Sequence, residues 1–476
     1  MKILKLNLML IIFSSLFSIE ISPPIEVSPD SIWAIWSWIC VDSIGKIYVF
    51  WEQMDGIYFR YFEDDISSPP QKFFNEKPDE ETGPVVDKYN RIWFFAKPDV
   101  VNIYGRYIYE NELSPIIYVP VFPSCNIAPQ IESDAKGNLW VAWTTHFWSH
   151  EPIFTRYYNG LKWSDTFSVC YLDSIKEIGS YTHRLFKDRE GNMWILYETD
   201  LYDEKNPDTV IHSILLRKFE NGKWGRHYIV NKENATNFGN ITHTKSEYMV
   251  VFPRRVTIQW WPGLFKFELY ALNFLDFSTT YLQKIWEEDS TPVAGVRSSL
   301  HVDEENRVWF LSPLLHPLPQ GSHGLHLQLF DGKWSKPEII ELSDSSSKFY
   351  YCGSAYDRFR KRIWFTYNLM NKIYLRYIDI SNVPATCDFT FLFFPNIIRN
   401  KNTTMISFMG VNEKDIVNIY VYDITGRKIK EIIRNLNNLP NFYRFYWTPD
   451  KFSSGNYFIC IDTKKKKSFL KIILIK

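Results

Sequence analysis

An all-β fold is predicted by three features of this 476-residue sequence. First, a short unit recurs along most of the chain, in which an aspartate and a turn are followed by an apolar and aromatic run. Second, alternating stretches closed by Asn-Gly or Asp-Gly turns follow several of these runs. Third, no segment shows sustained helical periodicity. Because the unit recurs, it has to be interpreted before any single residue.

The repeat is clearest in three stretches. "SDAKGNLWVAW" begins at Ser133, "KDREGNMWILY" at Lys187 and "VDEENRVWFLS" at Val302. Looser copies supply the remaining units, and in one copy a threonine replaces the aspartate while Tyr248 takes the place of the tryptophan. Seven anchor positions recur every 45 to 59 residues: Asp42, Asp87, Asp134, Asp188, Thr244, Asp303 and Asp357.

Each unit predicts two hairpins, and therefore four antiparallel strands. In the first hairpin the aspartate is expected to cap its own turn, with Gly137 or Gly191 in the left-handed conformation. Trp140 or Trp194 then begins the second strand and packs between neighbouring units. The second hairpin closes at Asn-Gly or Asp-Gly, for which a type I′ turn is expected because both central positions need positive φ. The repeat aspartates are thus predicted to be structural.

Seven four-stranded units predict a seven-bladed β-propeller over residues 24–381, because closure into a ring hides sheet edges that a linear array would expose. The two ends of this region support closure. "PPIEVSPDS" from Pro23 is similar to "KPEIIELSDS" from Lys336, the fourth strand of the sixth unit. The seventh unit shows only three strands, so the N-terminal strand is expected to complete it.

The stretches "DAKGNLW" and "DREGNMW" resemble the Asp-x-x-Gly-Asn-x-Trp repeats of two-component-regulator-type propellers. They differ from the sialidase Asp-box, which has one residue fewer between aspartate and tryptophan. The resemblance covers roughly residues 24 to 381 and implies the propeller architecture. Repeats this short specify architecture far better than activity.

The repeat stops at about Val383, and residues 388–476 predict a small immunoglobulin-like β-sandwich. One hairpin is expected after "VNIYVYD", and another joins "SSGNYFICID" to "KSFLKIILIK" around Lys464–Lys467. The lysine run also suggests contact with an anionic surface, but a solvated turn accounts for it equally well.

This segment resembles the C-terminal sorting domains of type IX (Por) secretion cargo. "FPNII" from Phe394 is similar to the Tyr-Pro-Asn-Pro start of that family, with Ile397 in place of the second proline. The resemblance implies export by the type IX secretion machinery as a partner; the alternative is a plain immunoglobulin-like accessory domain. The matching residues are Asp423, Gly426, Trp447, Ser454, Gly455, Tyr457 and the terminal "KIILIK".

The N-terminal stretch "MKILKLNLMLIIFSSLFS" predicts a signal peptide over residues 1–20, since lysines precede an apolar run and small residues follow it. The alternative is a membrane anchor, for which an apolar run of about a dozen residues is short. Together with the C-terminal resemblance, this predicts a protein that is secreted or held at the outer-membrane surface of a Gram-negative-type bacterium.

Charge and cysteine usage narrow the function further. The 54 basic and 54 acidic residues balance, so no whole-chain field favours nucleic acid. Six cysteines without paired spacing outline neither a disulfide framework nor a zinc site. Neither a cofactor nor a metal is predicted.

A ligand site is predicted where the second connection of each unit faces away from the aspartate turns, because such loops often carry function. Four long loops are expected at 144–152, 198–209, 252–263 and 312–326. Their tryptophans could stack on sugar rings, and their arginines could hold a carboxylate. The predicted ligand-binding residues are His146, Trp148, His150, Arg254, Arg255, Trp260, Trp261, His316 and His323.

Competing interpretations attach to the same residues. His146 and His150 have a metal-ligand spacing for a helix, but they fall in a loop without a third ligand. Arg254 and Arg255 also fit a solvated pair. No Gly-x-Ser-x-Gly, phosphate-binding glycine loop or His-Glu-x-x-His motif is found.

The predicted function is therefore a non-catalytic binding platform for a glycan or protein. The alternative is a carbohydrate-active hydrolase or lyase on the loop-rich face, which would need two suitably placed carboxylates; Glu198, Asp200 and Asp203 are the ones to test. A sensor module is disfavoured, because no kinase-like or transmembrane segment follows the predicted propeller.

Overall fold

The computed structural model is all-β, and the residues it describes contain no α-helix. Likewise, this part of the chain holds no helix with the length and apolar character needed to cross a membrane. The description covers residues 20–476 with these exceptions: 30–32, 35, 64–65, 122–124, 147–151, 171–176, 203–209, 232–239, 246, 260–263, 275–279, 288–297, 316–322, 333, 336–337, 342–348, 384–389, 394–396, 400–403, 410–416, 437–441, 450–451, 464–466 and 476.

Among the residues that the structure describes, two short strands come first and seven antiparallel sheets follow along the chain. The short strands are β1 (Glu20–Ile21) and β2 (Ile25–Glu26). The first sheet contains β3 (Ser37–Val41), β4 (Ile47–Gln53), β5 (Gly56–Glu63), β6 (Ile66–Ser67) and β7 (Gln71–Phe74). The second contains β8 (Glu80–Glu81), β9 (Val85–Val86), β10 (Ile92–Lys97), β11 (Ile103–Tyr109), β12 (Glu112–Leu113) and β13 (Ile117–Val119).

The middle sheets are built in the same way. The third contains β14 (Cys125–Ser133), β15 (Leu139–His146), β16 (Ile153–Tyr158) and β17 (Phe167–Ser168). The fourth contains β18 (Glu177–Lys187), β19 (Met193–Tyr202), β20 (Val210–Glu220), β21 (Lys223–Trp224) and β22 (Tyr228–Asn231). The fifth contains β23 (Asn240–His243), β24 (Tyr248–Gln259), β25 (Leu264–Phe274) and β26 (Thr280–Glu287).

The last two sheets complete the series. The sixth contains β27 (Ser299–Val302), β28 (Val308–Leu315), β29 (His323–Phe330) and β30 (Glu338–Glu341). The seventh contains β31 (Phe349–Asp357), β32 (Arg362–Leu369) and β33 (Lys372–Asp379), together with β1 and β2. Glu20 pairs with Asp379 and Ile25 with Leu375. The prediction that the N-terminal strand completes the last unit is confirmed.

A recurring serine shows that the N-terminal segment is equivalent to the outer strands of other sheets. In the seventh sheet the Ser22 hydroxyl accepts a hydrogen bond from the Tyr377 amide at 2.8 Å. This bond satisfies a backbone donor of the third strand at the sheet edge. The same bond links Ser68 to the Tyr61 amide (3.0 Å), Ser114 to Tyr107 (2.9 Å), Ser164 to Tyr157 (3.0 Å) and Ser335 to Leu329 (3.0 Å).

Apolar clusters hold neighbouring sheets together. Among the described residues one buried cluster lies between each pair of successive sheets. A further cluster joins Val49 and Trp51 of the first sheet to Trp364 and Leu375 of the seventh. Each sheet therefore packs against the next, and the last packs against the first. Fully buried aromatic side chains supply much of this apolar area.

The type I′ prediction holds for one of three turns, Asn221-Gly222, and not for Asn159-Gly160 or Asp331-Gly332. Asn221 and Gly222 have φ values of 53° and 78°. At the Asn159 turn the chain makes a longer loop, because the Asn159 side chain accepts hydrogen bonds from the amides of Leu161 and Lys162. At Asp331 only the following glycine has positive φ, and a bridge joins Phe330 to Trp334. Conversely, two turns without a glycine have positive φ at both positions: Glu110–Asn111 and Met370–Asn371.

The four loops expected at the second connections are shorter than predicted, because the strands continue past the buried core. Strand β15 reaches His146, β19 reaches Tyr202 and β24 reaches Gln259. Pro253 is tolerated inside β24 because the described pairing with β23 ends at Val251, so within the described part of the chain β25 alone pairs with the proline. The residues that prove to be in strands instead of loops are His146, Glu198, Asp200, Arg254, Arg255 and His323.

The described residues of the C-terminal segment form two sheets. The first contains β34 (Thr390–Phe393), β36 (Thr404–Met409) and β39 (Phe442–Trp447). The second contains β35 (Ile397–Arg399), β37 (Val417–Asp423), β38 (Lys428–Leu436), β40 (Gly455–Thr463) and β41 (Lys467–Ile475), with β35 and β41 parallel. Both predicted hairpins, β37–β38 and β40–β41, are confirmed.

Candidate functional site

The repeat aspartates lie in the turns at one end of the sheets, where their carboxylates accept hydrogen bonds that stabilise the fold. At Asp134 the carboxylate accepts hydrogen bonds from the Asn138 amide at 2.9 Å and from the Trp140 indole at 3.0 Å. Gly137 takes φ +85°, as predicted, and Gly191 takes φ +83°. The same indole bond recurs from Trp93 to Asp87 (2.9 Å), Trp194 to Asp188 (2.7 Å), Trp309 to Asp303 (2.9 Å) and Trp364 to Asp357 (3.5 Å).

In the fifth sheet the Thr244 hydroxyl replaces the carboxylate, accepting the Glu247 amide at 3.0 Å. Tyr248, which stands in the tryptophan position, donates its hydroxyl to Asp188 of the fourth sheet at 3.1 Å. The prediction of a structural role for the repeat positions therefore fits every bond described at them. We refer to this end of the sheets as the turn end.

One group at the turn end has the composition of a metal site. Ligand atoms of Asp188, Glu190 and His243 lie within 4.8 Å of one another. However, Asp188 already accepts bonds from Trp194 and Tyr248, and His243 Nδ1 accepts the Arg189 amide at 3.1 Å. Burial lowers the pKa of His243. These atoms hold the turns together, so the group is best explained as structure.

The opposite end of the sheets carries buried polar side chains, which we call the polar layer. Each member stands four residues after the repeat aromatic, where the apolar run of the second strand ends. All are 0 to 4% exposed. The members are Glu52, Lys97, Thr144, Glu198 and Asn368.

Each member of the polar layer contacts a polar partner, which is a lysine, a glutamate, a histidine or a backbone carbonyl. Because burial of polar groups is costly without partners, these pairs define the chemistry of this end of the sheets. The contacts are Glu52 with Lys77 (2.7 Å), Lys97 with Glu80 (3.3 Å), Thr144 with His183 Nδ1 (3.1 Å), Glu198 with His212 (3.6 Å) and Asn368 with the Ala34 carbonyl (2.6 Å).

Two carboxylates meet one imidazole in the fourth sheet. Asp200 Oδ1 lies 2.8 Å from His212 Nδ1, and Glu198 Oε2 lies 3.6 Å from His212 Nε2. Strand pairing explains the geometry, since Asp200 is directly opposite His212 and Glu198 is two residues earlier on the same strand. Below them, Leu196 and Ile214 belong to the apolar cluster between the fourth and fifth sheets.

Exposure and charge distinguish this trio from the repeat aspartates. The side chains of Asp200 and His212 are 20% and 24% exposed, whereas Glu198 is 4% exposed. Glu198, and to a lesser extent Asp200, raises the pKa of His212, while burial opposes the shift. The site thus combines carboxylate acceptors with an imidazole donor at a partly open surface, a set suited to hydroxyl groups and to proton transfer.

Sequence reasoning identified the two carboxylates but missed His212 and the rest of the polar layer. The register of the repeat was the available signal, because it aligns Glu198 with Glu52, Lys97 and Thr144. His212 could not be found in this way, since it reaches Glu198 only through the pairing of β19 with β20.

The predicted ligand-binding residues are only partly covered by the described structure. His146, Arg254, Arg255 and His323 have strand positions, and the description stops at their backbone. Arg254 is two residues beyond Phe252 in β24 and is paired with Glu268. The following residues lie outside the described part: Trp148, His150, Trp260, Trp261, His316 and the carboxylate Asp203.

The C-terminal motif residues form a turn and an aromatic contact. Asp423 Oδ1 accepts the Arg427 amide at 3.0 Å and Gly426 takes φ +81°, the same turn as in the repeat units. Trp447 is buried against Phe452, with ring centroids 5.5 Å apart. Tyr457 contacts the same phenylalanine at 5.4 Å and donates its hydroxyl to the Ser453 carbonyl at 3.0 Å.

No protein-family model matches the chain, and no curated protein matches its sequence. Solved structures give weak likenesses. A catalytically inactive virginiamycin B lyase from Staphylococcus aureus is 12% identical, with 75% of this chain and 99% of that chain covered and a TM-score of 0.44. A polysaccharide lyase is 8% identical, with 77% of this chain and 94% of that chain covered and a TM-score of 0.47. A gluconolactonase from Xanthomonas campestris is 9% identical, with 76% of this chain and 96% of that chain covered and a TM-score of 0.36. Likeness at this level carries no conclusion about activity.

Proposed function

We propose that residues 24–381, together with the preceding β1 and Ser22, form a seven-bladed β-propeller and that residues 388–476 form an immunoglobulin-like β-sandwich. The packing of seven successive sheets, with the last against the first, supports the propeller. The contacts of Phe452 with Trp447 of one C-terminal sheet and Tyr457 of the other support a sandwich.

We propose that residues 1–20 direct export and that the C-terminal module acts as a type IX sorting domain, which places the protein outside the cell or on the outer-membrane surface. The Asp423 turn, the buried Trp447 and the Tyr457 contact support this, because they give the motif residues a shared structural role. Removal of residues 388–476 should retain the propeller inside a type IX-competent host, and surface delivery without them would contradict the proposal.

We propose that the propeller is a binding platform whose ligand face is the polar layer with Asp200 and His212. The observation that supports this is that Asp200 and His212 are partly exposed, contact the buried Glu198 and are independent of the repeat turns. A carboxylate pair and an imidazole favour a polyhydroxyl ligand, so a glycan is the first class to test. A glycan-array screen of the full chain and of Asp200→Asn tests it; binding that is insensitive to Asp200→Asn would contradict the assignment.

A second candidate function is carbohydrate-active catalysis at the same site. The specific observation is that two carboxylates share His212 and raise its pKa, because paired groups of this kind serve as acid and base in many active sites. Product analysis of any bound glycan separates the two functions. Turnover that is lost in Glu198→Gln would mean that the protein is an enzyme and not a non-catalytic binding platform.

A further inference from the structure

We propose that three neighbouring turns at the turn end form a docking surface for an acidic, apolar segment of a partner protein. The surface consists of Ile44, Tyr89 and Phe359, and we call it the apolar arc. It lies at the opposite end of the sheets from the polar layer, so it does not depend on the function proposed above.

The apolar arc occupies one position of the repeat turn, two residues after the aspartate, in the seventh, first and second sheets. There Ile44 is 68% exposed, Tyr89 55% and Phe359 53%. In the third, fourth and sixth sheets the same position carries a charge: Lys136, Glu190 and Glu305. Large apolar side chains exposed at one position of three neighbouring turns are a feature that marks an interaction site.

Bonds between the turns make the apolar arc one rigid surface. The Ser43 amide donates to Asn90 Oδ1 at 2.8 Å, which joins the first turn to the second. Arg360 Nη1 donates to the Gly45 carbonyl at 2.8 Å, which joins the seventh turn to the first. The Phe359 ring also lies against Gly45. A surface held in place before binding loses little conformational entropy when a partner docks.

Charge identifies the partner. The three turns of the arc, residues 42–46, 87–91 and 357–361, contain six lysines or arginines and three aspartates. Those three aspartates are buried and bonded within their own turns. The corresponding turns 134–138, 188–192 and 303–307 reverse the balance, with six acidic and three basic residues. Four of the six cations are held in ion pairs, so the complementarity of the arc to an acidic partner rests on Lys88 and Arg358; the pairs are Lys46 with Glu63, Arg91 with Asp87, Arg360 with Asp357 and Lys361 with Glu305.

Two exposed cations are placed to receive that partner. Lys88 Nζ lies 4.8 Å from the Tyr89 ring centroid, and Arg358 Cζ lies 4.9 Å from that of Phe359. The ion pairs that the structure describes beside them are formed by other cations, Arg91 with Asp87 and Arg360 with Asp357. Apolar rings with adjacent cations fit a segment in which Asp or Glu alternates with Leu or Phe.

A peptide segment explains the arc better than a membrane surface does. A flat anionic bilayer would contact the whole turn end and bring Glu190, whose side chain is 60% exposed, and Glu305 against lipid phosphates. Like charges would then oppose binding. A segment of a few residues covers the arc alone.

The test uses the full chain and fluorescence anisotropy. The probe is a labelled twelve-residue peptide of alternating Glu, Phe, Asp and Leu; the comparison peptide has Lys at the acidic positions. The variants are Lys88→Glu with Arg358→Glu, and Ile44→Ser with Tyr89→Ser and Phe359→Ser. The matched control, Lys136→Glu with Lys245→Glu, reverses two exposed cations of turns outside the arc.

We expect saturable binding of the acidic peptide only, weakened by about tenfold or more in both arc variants and unchanged in the control. If the serine variant fails to fold by circular dichroism, the charge-reversal pair carries the test, since it changes exposed charges only. Absence of binding to the acidic peptide, or equal binding by all variants, overturns the proposal. So does arc-dependent binding to phosphatidylglycerol vesicles without binding to the peptide, which would assign the arc to a membrane.

Discussion

The two ends of the fourth sheet carry aspartates with opposite uses. Asp188, at the turn end, is buried and accepts bonds from Asn192, Trp194 and Tyr248. Asp200, at the other end, is partly exposed and contacts His212 of the next strand. The difference shows that a carboxylate stabilises the fold when donors in and around its own turn occupy its oxygens. A carboxylate that is paired with a titratable group at a surface is available for function.

The largest expected effect is on stability at the turn end. Asp188→Ala leaves the Trp194 indole and other buried donors without an acceptor, at about 1–3 kcal/mol for each group, so we expect a loss of roughly 3 kcal/mol or more. Asp200→Ala is the matched control in the same sheet and should cost about 1 kcal/mol or less. Urea unfolding of both variants measures the difference, and equal losses would remove the distinction between the two ends.

A second expectation concerns two glycines of the fourth sheet with similar left-handed backbones. Gly191→Ala adds a Cβ that would clash with the Ala135 Cβ, whereas at Gly222 nothing lies within 4 Å. Backbone strain alone costs about 1 kcal/mol at Gly222, and overpacking adds about 1–3 kcal/mol at Gly191. Thermal or urea unfolding should rank Gly191→Ala as clearly the more damaging change; the reverse order would mean that the turns are not packed together.

A third expectation concerns the N-terminal strand, which completes the last of the seven sheets. Ser22→Ala removes the acceptor of the Tyr377 amide and should cost about 1 kcal/mol. Ser164→Ala removes the equivalent bond in the third sheet, so the two losses should agree within about 0.5 kcal/mol. Unfolding of both variants checks this. A stable Ser22→Ala beside a destabilised Ser164→Ala would indicate that the N-terminal segment is not an outer strand.

The smallest expected effect is on the pH dependence of stability, through His212 beside the polar layer. The pKa of His212 is raised in the folded protein, so its stabilisation is fully present below the unfolded value of about 6.5 and is lost as pH rises through the folded pKa. For one partly exposed group this amounts to less than about 1 kcal/mol. His212→Gln should therefore reduce stability more at pH 5.5 than at pH 8.5. A larger loss at pH 8.5 would mean that the neutral imidazole is the stabilising form.

The same contrast explains what could be predicted from the sequence. The turn end follows from local chemistry, because Asp134, Gly137 and Trp140 act within one hairpin, and even the substitution of Thr244 was recognisable from its spacing. The polar end depends on pairing between strands, which places His212 beside Asp200 without any signal near either residue. The lengths of the loops at the second connections were overestimated for a related reason. Strands such as β24 continue as long as one partner strand remains.

The most direct test of the account is the binding of one array-identified glycan to two variants of the fourth sheet. Asp200→Asn alters the polar end, and Glu190→Gln makes the same chemical change at the turn end. If the ligand binds at Asp200 and His212, Asp200→Asn weakens binding by about tenfold or more, as expected for a central contact, while Glu190→Gln leaves it unchanged. Loss of binding in Glu190→Gln, with Asp200→Asn unaffected, would place the ligand at the turn end and contradict it.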